Sequence, residues 1–475
     1  MIFRKCSSPV SPLAVALVSA ATLIGAAGLD LNGISETAQA AEDQTGQSDS
    51  ETSHRRGTVQ KPVLKSASDS QPAIISETVF ARHLLRALSL DPEYISLQAE
   101  VLAVDARHAT TSIPIAGSPS VGIGGRMDTR GPRKVWQTDV EFGAPLWLPG
   151  QRQAFGQQVD ADLLQAERRA TERALQLAGE LREAWWDAVL AMLNVHVAEQ
   201  RLETAQAIQK DVERRAHFGD LSAQDTLFGE NETLAADLDL SRARMEAERL
   251  RSVYSTITGG DEPLVASEPV ATGRKLDDHP LIQLALAGIE AARAQIRYVN
   301  TTLRENPEVS LYSSQQGGTM SEEGTSFGFR LRVPLATEAR NIPRRAAAQA
   351  GLTRATVEWT QHRRVLGLTI RRAENVLERA KISAGIARDR LDVARKQLAS
   401  ARLSFEAGET TLYNLYQVRR LLSDALEADA RAEVELGRAR ARLNQAMGVL
   451  PGLSAAMVTP VVAHQKLPEP SPSSR

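Results

Sequence analysis

The stretch TSFGFRLRVPL, Thr325 to Leu335, alternates apolar and polar side chains. A period of two residues predicts a β-strand with one apolar face and one polar face. The apolar face comprises Thr325, Phe327, Phe329, Leu331, Val333 and Leu335, and the polar face carries Arg330 and Arg332. Downstream, to about residue 447, the pattern predicts helix and offers no second layer to bury the apolar face. The fold therefore depends on what this apolar face packs against.

A second alternating stretch lies upstream at a fixed distance. WQTDVEFGAPL, Trp136 to Leu146, has Val140 and Phe142 on its apolar face and Asp139 and Glu141 on its polar face. Its proline precedes the proline of the first stretch by 189 residues (334 − 145). Four other landmark pairs agree: Gly219 and Gly408 (408 − 219 = 189), Gly259 and Gly448 (448 − 259 = 189), Pro92 and Pro280 (280 − 92 = 188), and Pro119 and Pro307 (307 − 119 = 188). These offsets indicate a tandem duplication.

Each repeat has the same predicted order of elements. A helix follows Pro92 or Pro280, and a short alternating strand follows Pro119 or Pro307. The longer strand described above comes next. Very long helices are then predicted over 154–217 and 343–406, with return helices that end near residues 258 and 447. The reversals fall at Gly219 and Gly408, because glycine supplies the positive φ that a sharp helix reversal needs.

The long helices carry a strict seven-residue apolar repeat. The seam runs from Leu366 to Phe405 in steps of four and three residues, and the positions 189 residues earlier, Leu177 to Ala216, are apolar with the exception of Gln209. This period predicts a left-handed coiled coil. A helix of about 64 residues is ~96 Å long, far longer than the ~30 Å hydrocarbon core of a bilayer. We therefore expect these helices to stand in water and to pack on one another.

The first 40 residues have the features of a secretory signal. Arg4 and Lys5 precede an apolar run over 13–29, and Ala38-Gln39-Ala40 forms an A-x-A cleavage site. An uncleaved membrane anchor is the alternative. The single cysteine, Cys6, precedes the apolar run, so it cannot carry the lipid of a mature lipoprotein, and the mature chain would have no thiol. That composition suits an oxidising envelope compartment.

Composition divides the rest of the chain. The predicted segments are a signal peptide (1–40), a disordered polar segment (41–75), a first repeat (76–260), a linker (261–279), a second repeat (280–452) and a Pro/Ser-rich tail (453–475). The chain has 56 basic and 58 acidic residues among 475, a net charge of −2, so no nucleic-acid surface is expected.

The sequence gives no support for a catalytic or cofactor-binding motif. The eight histidines are scattered and form no H-E-x-x-H or Cys/His cluster, so we expect no enzyme activity, no cofactor and no metal site. Glu183 and Asp187 have the spacing of a metal-binding pair on a helix, although a solvated helix face is the simpler interpretation. Trp185 and Trp186 are expected to pack between helices.

A strand of about ten residues with one apolar face matches a transmembrane β-strand. The lipid-facing residues would be Val140, Phe142, Phe327, Phe329, Leu331 and Val333, and the lumen-facing residues would be Asp139, Glu141, Arg330 and Arg332. Open sheet edges are not tolerated in lipid, so such a sheet must close. Four strands per chain cannot enclose a channel, and several chains would have to share one barrel. A half-buried strand of a soluble sheet is the alternative.

These features resemble the TolC-like outer-membrane efflux channel family over residues 75 to 452. The strand-to-helix passages FGAPLWLPGQR (Phe142 to Arg152) and FRLRVPL (Phe329 to Leu335) carry the resemblance, together with the reversals RAHFGDLSAQD (Arg215 to Asp225) and SFEAGETTLYN (Ser404 to Asn414). The second reversal departs from the family pattern, since Ser404 stands where an Arg is expected. The PLWLPGQR passage is most similar to relatives from heavy-metal efflux operons.

The resemblance implies a mainly α fold with membrane β-structure. Four strands from each chain of a homotrimer would form a twelve-stranded β-barrel in the outer-membrane lipid, and the coiled-coil hairpins would form a periplasmic tunnel. The trimer would dock on a periplasmic adaptor and an inner-membrane efflux pump and conduct heavy-metal cations or small toxic compounds out of the cell. A type I protein-secretion channel and a pore-less coiled-coil tether remain open. A periplasmic adaptor would show one hairpin and a lipoyl-like β-domain, in place of two hairpins.

The helix reversals are the expected contact points and gate. The resemblance implies adaptor docking by Arg215, Gly219, Leu221, Ser222, Gly408 and Thr410. Three acids, Asp220, Asp225 and Glu409, fall at or just past the turns, and a trimer would gather all their copies around the periplasmic mouth. Rings of acidic side chains favour cations. Ordinary solvated turn acids are the alternative interpretation.

Overall fold

The computed structural model describes residues 77–128, 135–219, 222–263, 268–318 and 321–451. The predicted signal peptide, the polar segment up to residue 75 and the tail from residue 453 lie outside these ranges. Two of the predicted site residues, Asp220 and Leu221, also lie outside them.

The element order confirms the tandem repeat. The first half contains α1 (Glu77–Leu90), α2 (Pro92–Asp105), α3 (His108–Ser112), β1 (Ser120–Met127), β2 (Val135–Pro145), α4 (Gln151–His217) and α5 (Ala223–Thr258). The second half contains a short 3-10 turn (Leu276–Asp278), α6 (Pro280–Thr301), β3 (Glu308–Gly318), β4 (Ser321–Arg332), α7 (Glu338–Glu406) and α8 (Leu412–Ala446). Each half therefore runs through a helix, two strands, a long helix and a return helix.

The predicted turn glycines have left-handed backbone conformations in both halves. Gly219 has φ 82° and Gly408 has φ 74°, and they follow the long helices α4 and α7. Gly259 has φ 73° and Gly448 has φ 72°, and they follow the return helices α5 and α8. Side chains with a Cβ disfavour this conformation, so the paired glycines fix where both hairpins turn.

The sequence misplaces the end of the last strand and the start of the last long helix. β4 ends at Arg332, so the predicted lipid-facing Val333 lies one residue beyond the strand. Pro334 lacks the N–H that a longer ladder would need. α7 begins at Glu338, so Pro343 lies inside the helix instead of at its start. The helix α1 was not predicted, because no landmark of the repeat falls within it.

The coiled-coil seams form as predicted. Every seam position from Leu366 to Phe405, and every equivalent position from Leu177 to Ala216, is buried or half-buried. α4 packs against α5, and α7 packs against α8. α6 and α8 also pack against α4, so they join the first half to the second. In the described ranges, none of the helices combines the length and apolar character needed to cross a membrane.

The helices consequently follow one another side by side in a fixed order. Nearer the strands the order is α2, α4, α6 and α7, and toward the reversals it is α5, α4, α8 and α7. The long helix of the first half, α4, has neighbours on both sides. The long helix of the second half, α7, has packed neighbours only on the side of α6 and α8.

An aromatic cluster docks α1 onto the first hairpin. Trp185 is 2% exposed and packs with Phe80 and Leu84 of α1 and with Tyr254 of α5. The Tyr254 hydroxyl lies 2.7 Å from His83 Nδ1. Burial lowers the pKa of His83 below its usual value of 6.5, so the His83 ring is neutral where it meets the tyrosine. The predicted packing of Trp185 and Trp186 between helices is confirmed.

The segment predicted as a linker is partly built into the core. Glu268 is buried, and its carboxylate accepts hydrogen bonds from Arg182 Nε at 3.0 Å and from Asn444 Nδ2 at 3.0 Å. Arg182 is buried as well, and it also donates to Gln445 Oε1 at 2.5 Å. Residues 268–271 therefore connect α4 to α8 through a buried ion pair whose hydrogen bonds are satisfied.

Removing one partner of this ion pair should destabilise the protein strongly. Glu268→Ala leaves the Arg182 guanidinium buried without its counter-charge, which costs about 3–5 kcal/mol. Glu290→Ala removes an exposed partner of Arg293 on α6 and should cost under about 1 kcal/mol. Guanidinium denaturation of the two variants checks this difference, and equal midpoints would contradict it.

Candidate functional site: the sheet and the hairpin reversals

The four strands form one antiparallel sheet in the order β1-β2-β3-β4. Its register aligns the two halves of the chain, since Val140 pairs with Ile123 on one side and with Ser313 on the other. Leu311 pairs with Phe142 and with Phe329. β1 and β4 are the outer strands, so the sheet has two edges that no described strand of the same chain pairs with.

One face of the sheet is apolar across all four strands. Its larger apolar residues are Val121, Ile123, Val140, Phe142, Val309, Leu311, Phe327, Phe329 and Leu331, and none of them is buried; Ser313 lies among them, between Val140 and Phe327. Phe327 is 84% exposed and Phe329 is 79% exposed. Trp136 lies at the far end of β2 on the same face. The predicted alternation is therefore correct, and the strands β1 and β3 extend the apolar face further than the lipid-facing set predicted from the sequence.

The opposite face is polar, and its side chains bond to one another. Glu141 Oε2 lies 2.6 Å from Arg330 NH1, and Glu141 Oε1 accepts a hydrogen bond of 2.5 Å from Ser310. Asp139 accepts a 2.9 Å hydrogen bond from Gln137 Nε2. Arg332 lies opposite Glu308 in the ladder. The four predicted lumen residues thus share one face and alternate with the apolar positions.

At the first reversal the acid and the serine form a helix cap. Ser222 Oγ accepts from the Asp225 backbone N–H at 3.2 Å, and Asp225 Oδ2 accepts from the Ser222 backbone N–H at 3.1 Å. This reciprocal capping box satisfies N–H groups that the start of α5 leaves free. Two residues predicted for gating and docking therefore also hold the helix start in place.

Arg215 is not a free contact residue. Its Nε lies 3.2 Å from Asp211 Oδ2, and its guanidinium lies over the ring of Phe405 at 4.4 Å from the ring centre. The arginine of the first reversal thus rests on an aromatic ring next to the second reversal. Phe405 belongs to an apolar cluster with Ile208, Val212, Leu415 and Tyr416, which brings the ends of the two hairpins together.

At the second reversal the helix cap is built from uncharged equivalents. Thr411 caps α8 by accepting from the Asn414 backbone N–H at 3.3 Å, and Asn414 stands 189 residues after Asp225. Asn414 Nδ2 donates to Thr410 Oγ1 at 3.2 Å. Gly408 and Glu409 are exposed at the turn. Glu409 stands at the position equivalent to Asp220 (409 − 189), so the two turns share one acidic position and differ at the cap, where Asn414 replaces Asp225.

Arginines of α8 bind the two acids considered as a metal pair. Arg442 Nε lies 2.7 Å from Glu183 Oε1, and Arg438 pairs with Asp187. The Arg442 hydrogen bond holds the pKa of Glu183 below its usual value. Within the described part of the chain, no group of three or more His, Cys, Asp or Glu residues has a metal-binding arrangement.

Comparison with known proteins gives a family match over the second half of the chain. Residues 273–449 match the model of the outer membrane efflux protein family. The matched residues contain α6, β3, β4, α7 and α8 of the second repeat. No curated protein sequence matches the chain significantly.

Solved structures share the fold over about four fifths of the chain. VceC from Vibrio cholerae superposes with a TM-score of 0.63 at 12% identity, covering 78% of this chain and 96% of its own. CusC, described in connection with transmembrane channel formation, gives 0.64 at 15% identity, with 81% and 95% covered. The outer-membrane channel OprN gives 0.62 at 19% identity, with 80% and 97% covered. The predicted fold is confirmed, and the family match over residues 273–449 agrees with the predicted resemblance to TolC-like outer-membrane efflux channels.

We expect loss of the Asp225 cap to loosen the first reversal. Asp225→Ala removes the carboxylate that accepts from the Ser222 backbone N–H and from Ser222 Oγ but keeps the bond from the backbone N–H of residue 225 to Ser222 Oγ, and it should cost about 0.5–1.5 kcal/mol of local stability. Hydrogen exchange of the amides at the start of α5 should accelerate. Glu230→Ala, an exposed acid one turn further along α5, should leave that exchange unchanged. Unaltered protection in Asp225→Ala would show that the cap contributes nothing.

Proposed function

We propose that this protein is the outer-membrane channel of a tripartite efflux system and that it passively conducts substrates from an inner-membrane pump and a periplasmic adaptor to the exterior. The observation that carries the proposal is the exposed apolar face of the four-stranded sheet, backed by a polar face. The outer membrane efflux protein domain and the shared fold support this class of function.

The sheet has the dimensions of a membrane sheet. A transmembrane β-strand needs about 9–11 residues at a tilt of ~45°. β2 and β3 have 11 residues each, and β4 has 12. Leaving this apolar area in water would cost ~25 cal/mol per Å², and lipid removes that cost. A coiled-coil tether without a pore would not need an exposed apolar sheet face.

The two unpaired sheet edges support a homotrimer. An open edge in lipid leaves backbone N–H and C=O groups without partners, at several kcal/mol each. Three copies with four strands each give twelve strands and close the sheet at the junctions between β4 and β1. The polar face then lines the lumen, where Glu141 and Arg330 face the solute. The hairpins continue from the barrel as the periplasmic tunnel.

The reversals are the proposed meeting point with the adaptor. Gly219, Ser222, Gly408 and Thr410 lie at the ends of the hairpins farthest along the chain from the strands. The Arg215 guanidinium is stacked on the Phe405 ring. Arg215 therefore helps to position Phe405 at this surface, in addition to any direct contact with the adaptor. Leu221 lies outside the described residues.

Single-channel recording tests the proposed function. The purified protein should form long-lived conducting units in planar bilayers and should crosslink as a trimer. Phe327→Arg places a charge in the lipid at a cost of ~2–4 kcal/mol and should abolish assembly.

Ser326→Arg is the matched control, because Ser326 is the neighbouring residue on the polar face. It should assemble normally and alter ion selectivity. A protein that never conducts would refute the channel, and equal tolerance of both arginines would refute the face assignment.

The acids at the reversals are proposed as a cation-selective ring. Asp225 is held in place by its cap, and Glu409 is exposed at the second turn. Asparagine keeps an acceptor oxygen for the cap but removes the charge. Asp225→Asn combined with Asp220→Asn should therefore lower the preference for cations over anions in single-channel recordings. Unchanged selectivity in a conducting double variant would return these acids to the role of solvated turn residues.

A further inference from the structure

An open groove lies where helices of the two repeats pack side by side. Its volume is about 450 Å³, and a single chain builds it from α4 of the first repeat and from α6 and α7 of the second. Pockets that hold small organic molecules have volumes of ~300–1,000 Å³ and a mostly apolar lining with a few polar groups. The groove therefore has the size of a site for a small molecule.

Apolar side chains from all three helices line the groove. Leu164 comes from α4, Leu286 and Ala287 come from α6, and Trp359 comes from α7. The Arg363 guanidinium lies over the Trp359 ring at 5.4 Å from its centre, which holds the indole in place. Leu164 is 38% exposed. An apolar ligand would therefore cover a leucine that the chain itself leaves partly in water.

Arg168 gives the groove one positive charge without a partner. Its side chain is half-buried and forms no ion pair with a residue that the structure describes. The next residue on α4, Arg169, instead pairs with Glu100 of α2 at 3.0 Å. The other two charged residues of the groove, Glu290 and Arg293, pair with each other at 2.5 Å. The lining therefore carries an excess positive charge at Arg168.

The arginine and the tryptophan of the groove have no counterparts in the other repeat. The position equivalent to Arg168 is Val357 (168 + 189), and the position equivalent to Trp359 is Ala170 (359 − 189). Val357 is 59% exposed, and Ala170 is fully buried. The helix packing that the two repeats share therefore accounts for neither Arg168 nor Trp359.

We propose that this groove binds a small aromatic carboxylate. The guanidinium of Arg168 offers the planar pair of N–H donors that a carboxylate accepts in a bidentate manner. The side chains of Leu164, Leu286 and Trp359 cover the aromatic ring. A ligand without a negative charge leaves Arg168 unpaired, and a ligand without an apolar body leaves the apolar lining in water. This inference goes beyond the proposed function, because the site lies within one chain and depends neither on a trimer nor on transport.

An occupant of the groove would connect the two repeats. It would contact α4 of the first repeat together with α6 and α7 of the second. A ligand that binds the folded chain and not the unfolded chain stabilises the folded state as its concentration exceeds the Kd. We therefore expect the ligand to raise the unfolding temperature of the protein along the same saturation curve that describes its binding.

Calorimetric titration of the purified full-length protein with 2-naphthoate tests the site. We expect saturable binding of one molecule per chain with a Kd of about 0.1–1 mM, given the size of the probe. Arg168→Gln should weaken binding about tenfold, because the charge-assisted bonds to the carboxylate are lost. Arg169→Gln is the matched control, because it removes the same charge one residue further along α4, where the side chain pairs with Glu100. Its Kd should stay within about twofold of the parent value.

A second variant and a second compound separate the groove from general effects of charge and detergent. Thr356 lines the groove and is exposed, so Thr356→Phe fills the groove without replacing a packed side chain, and it should weaken binding at least about tenfold. The alcohol 2-naphthylmethanol keeps the aromatic rings and lacks the carboxylate. It should bind at least about tenfold more weakly than 2-naphthoate, because Arg168 then has no anionic partner.

Each of the following results would overturn the proposal. Binding that does not saturate up to ~10 mM would show that the groove holds no carboxylate of this size. Equal losses in Arg168→Gln and Arg169→Gln would show that the probe responds only to the overall charge. Equal binding of the alcohol and the carboxylate would show that Arg168 takes no part. A protein that conducts as a trimer and gives any of these results leaves the proposed channel standing.

Discussion

An apolar sheet face without a partner in its own chain is the constraint on which the rest of the structure depends. The helices bury their seams within the chain, but Phe327 and Phe329 of the sheet are 84% and 79% exposed. Backbone groups on both sheet edges are unpaired by any described strand. Lipid can cover the apolar face, but it offers no hydrogen bonds to the backbone N–H and C=O groups of the edge strands. Only further strands can pair with those groups. Under the proposed function, a membrane covers the apolar face and further copies of the chain pair with the two edges.

The two repeats complement each other on the polar face. Glu141 of β2 and Arg330 of β4 occupy equivalent positions, 189 residues apart, and they form an ion pair. A perfect repeat would place the same charge at both positions, and the two side chains would repel each other. Divergence between the halves therefore neutralises the polar face locally. If this face lines the lumen of the proposed channel, its paired charges leave selectivity to less constrained positions, such as the acids at the reversals.

Much of this architecture follows from the sequence because its signals are periodic. The alternation over Thr325 to Leu335, the seam from Leu366 to Phe405 and the paired glycines each report local geometry directly. The sequence does not reveal contacts between distant segments. α1 carries no landmark of the repeat, and the burial of Glu268 depends on Arg182, 86 residues earlier in the chain. The stacking of Arg215 on Phe405 and the cap of Asp225 likewise give predicted contact residues structural roles that spacing could not show.

The two repeats differ at the ends of their hairpins. Arg215 of the first reversal rests on Phe405 near the second. The equivalent positions of the other repeat hold Ser404 (215 + 189) and Ala216 (405 − 189). A serine and an alanine cannot form a cation–π contact, which is worth ~0.5–1 kcal/mol at exposed sites. The departure of Ser404 from the family pattern therefore has a physical consequence: the contact that ties the two reversals of the chain together can form only once, between Arg215 and Phe405.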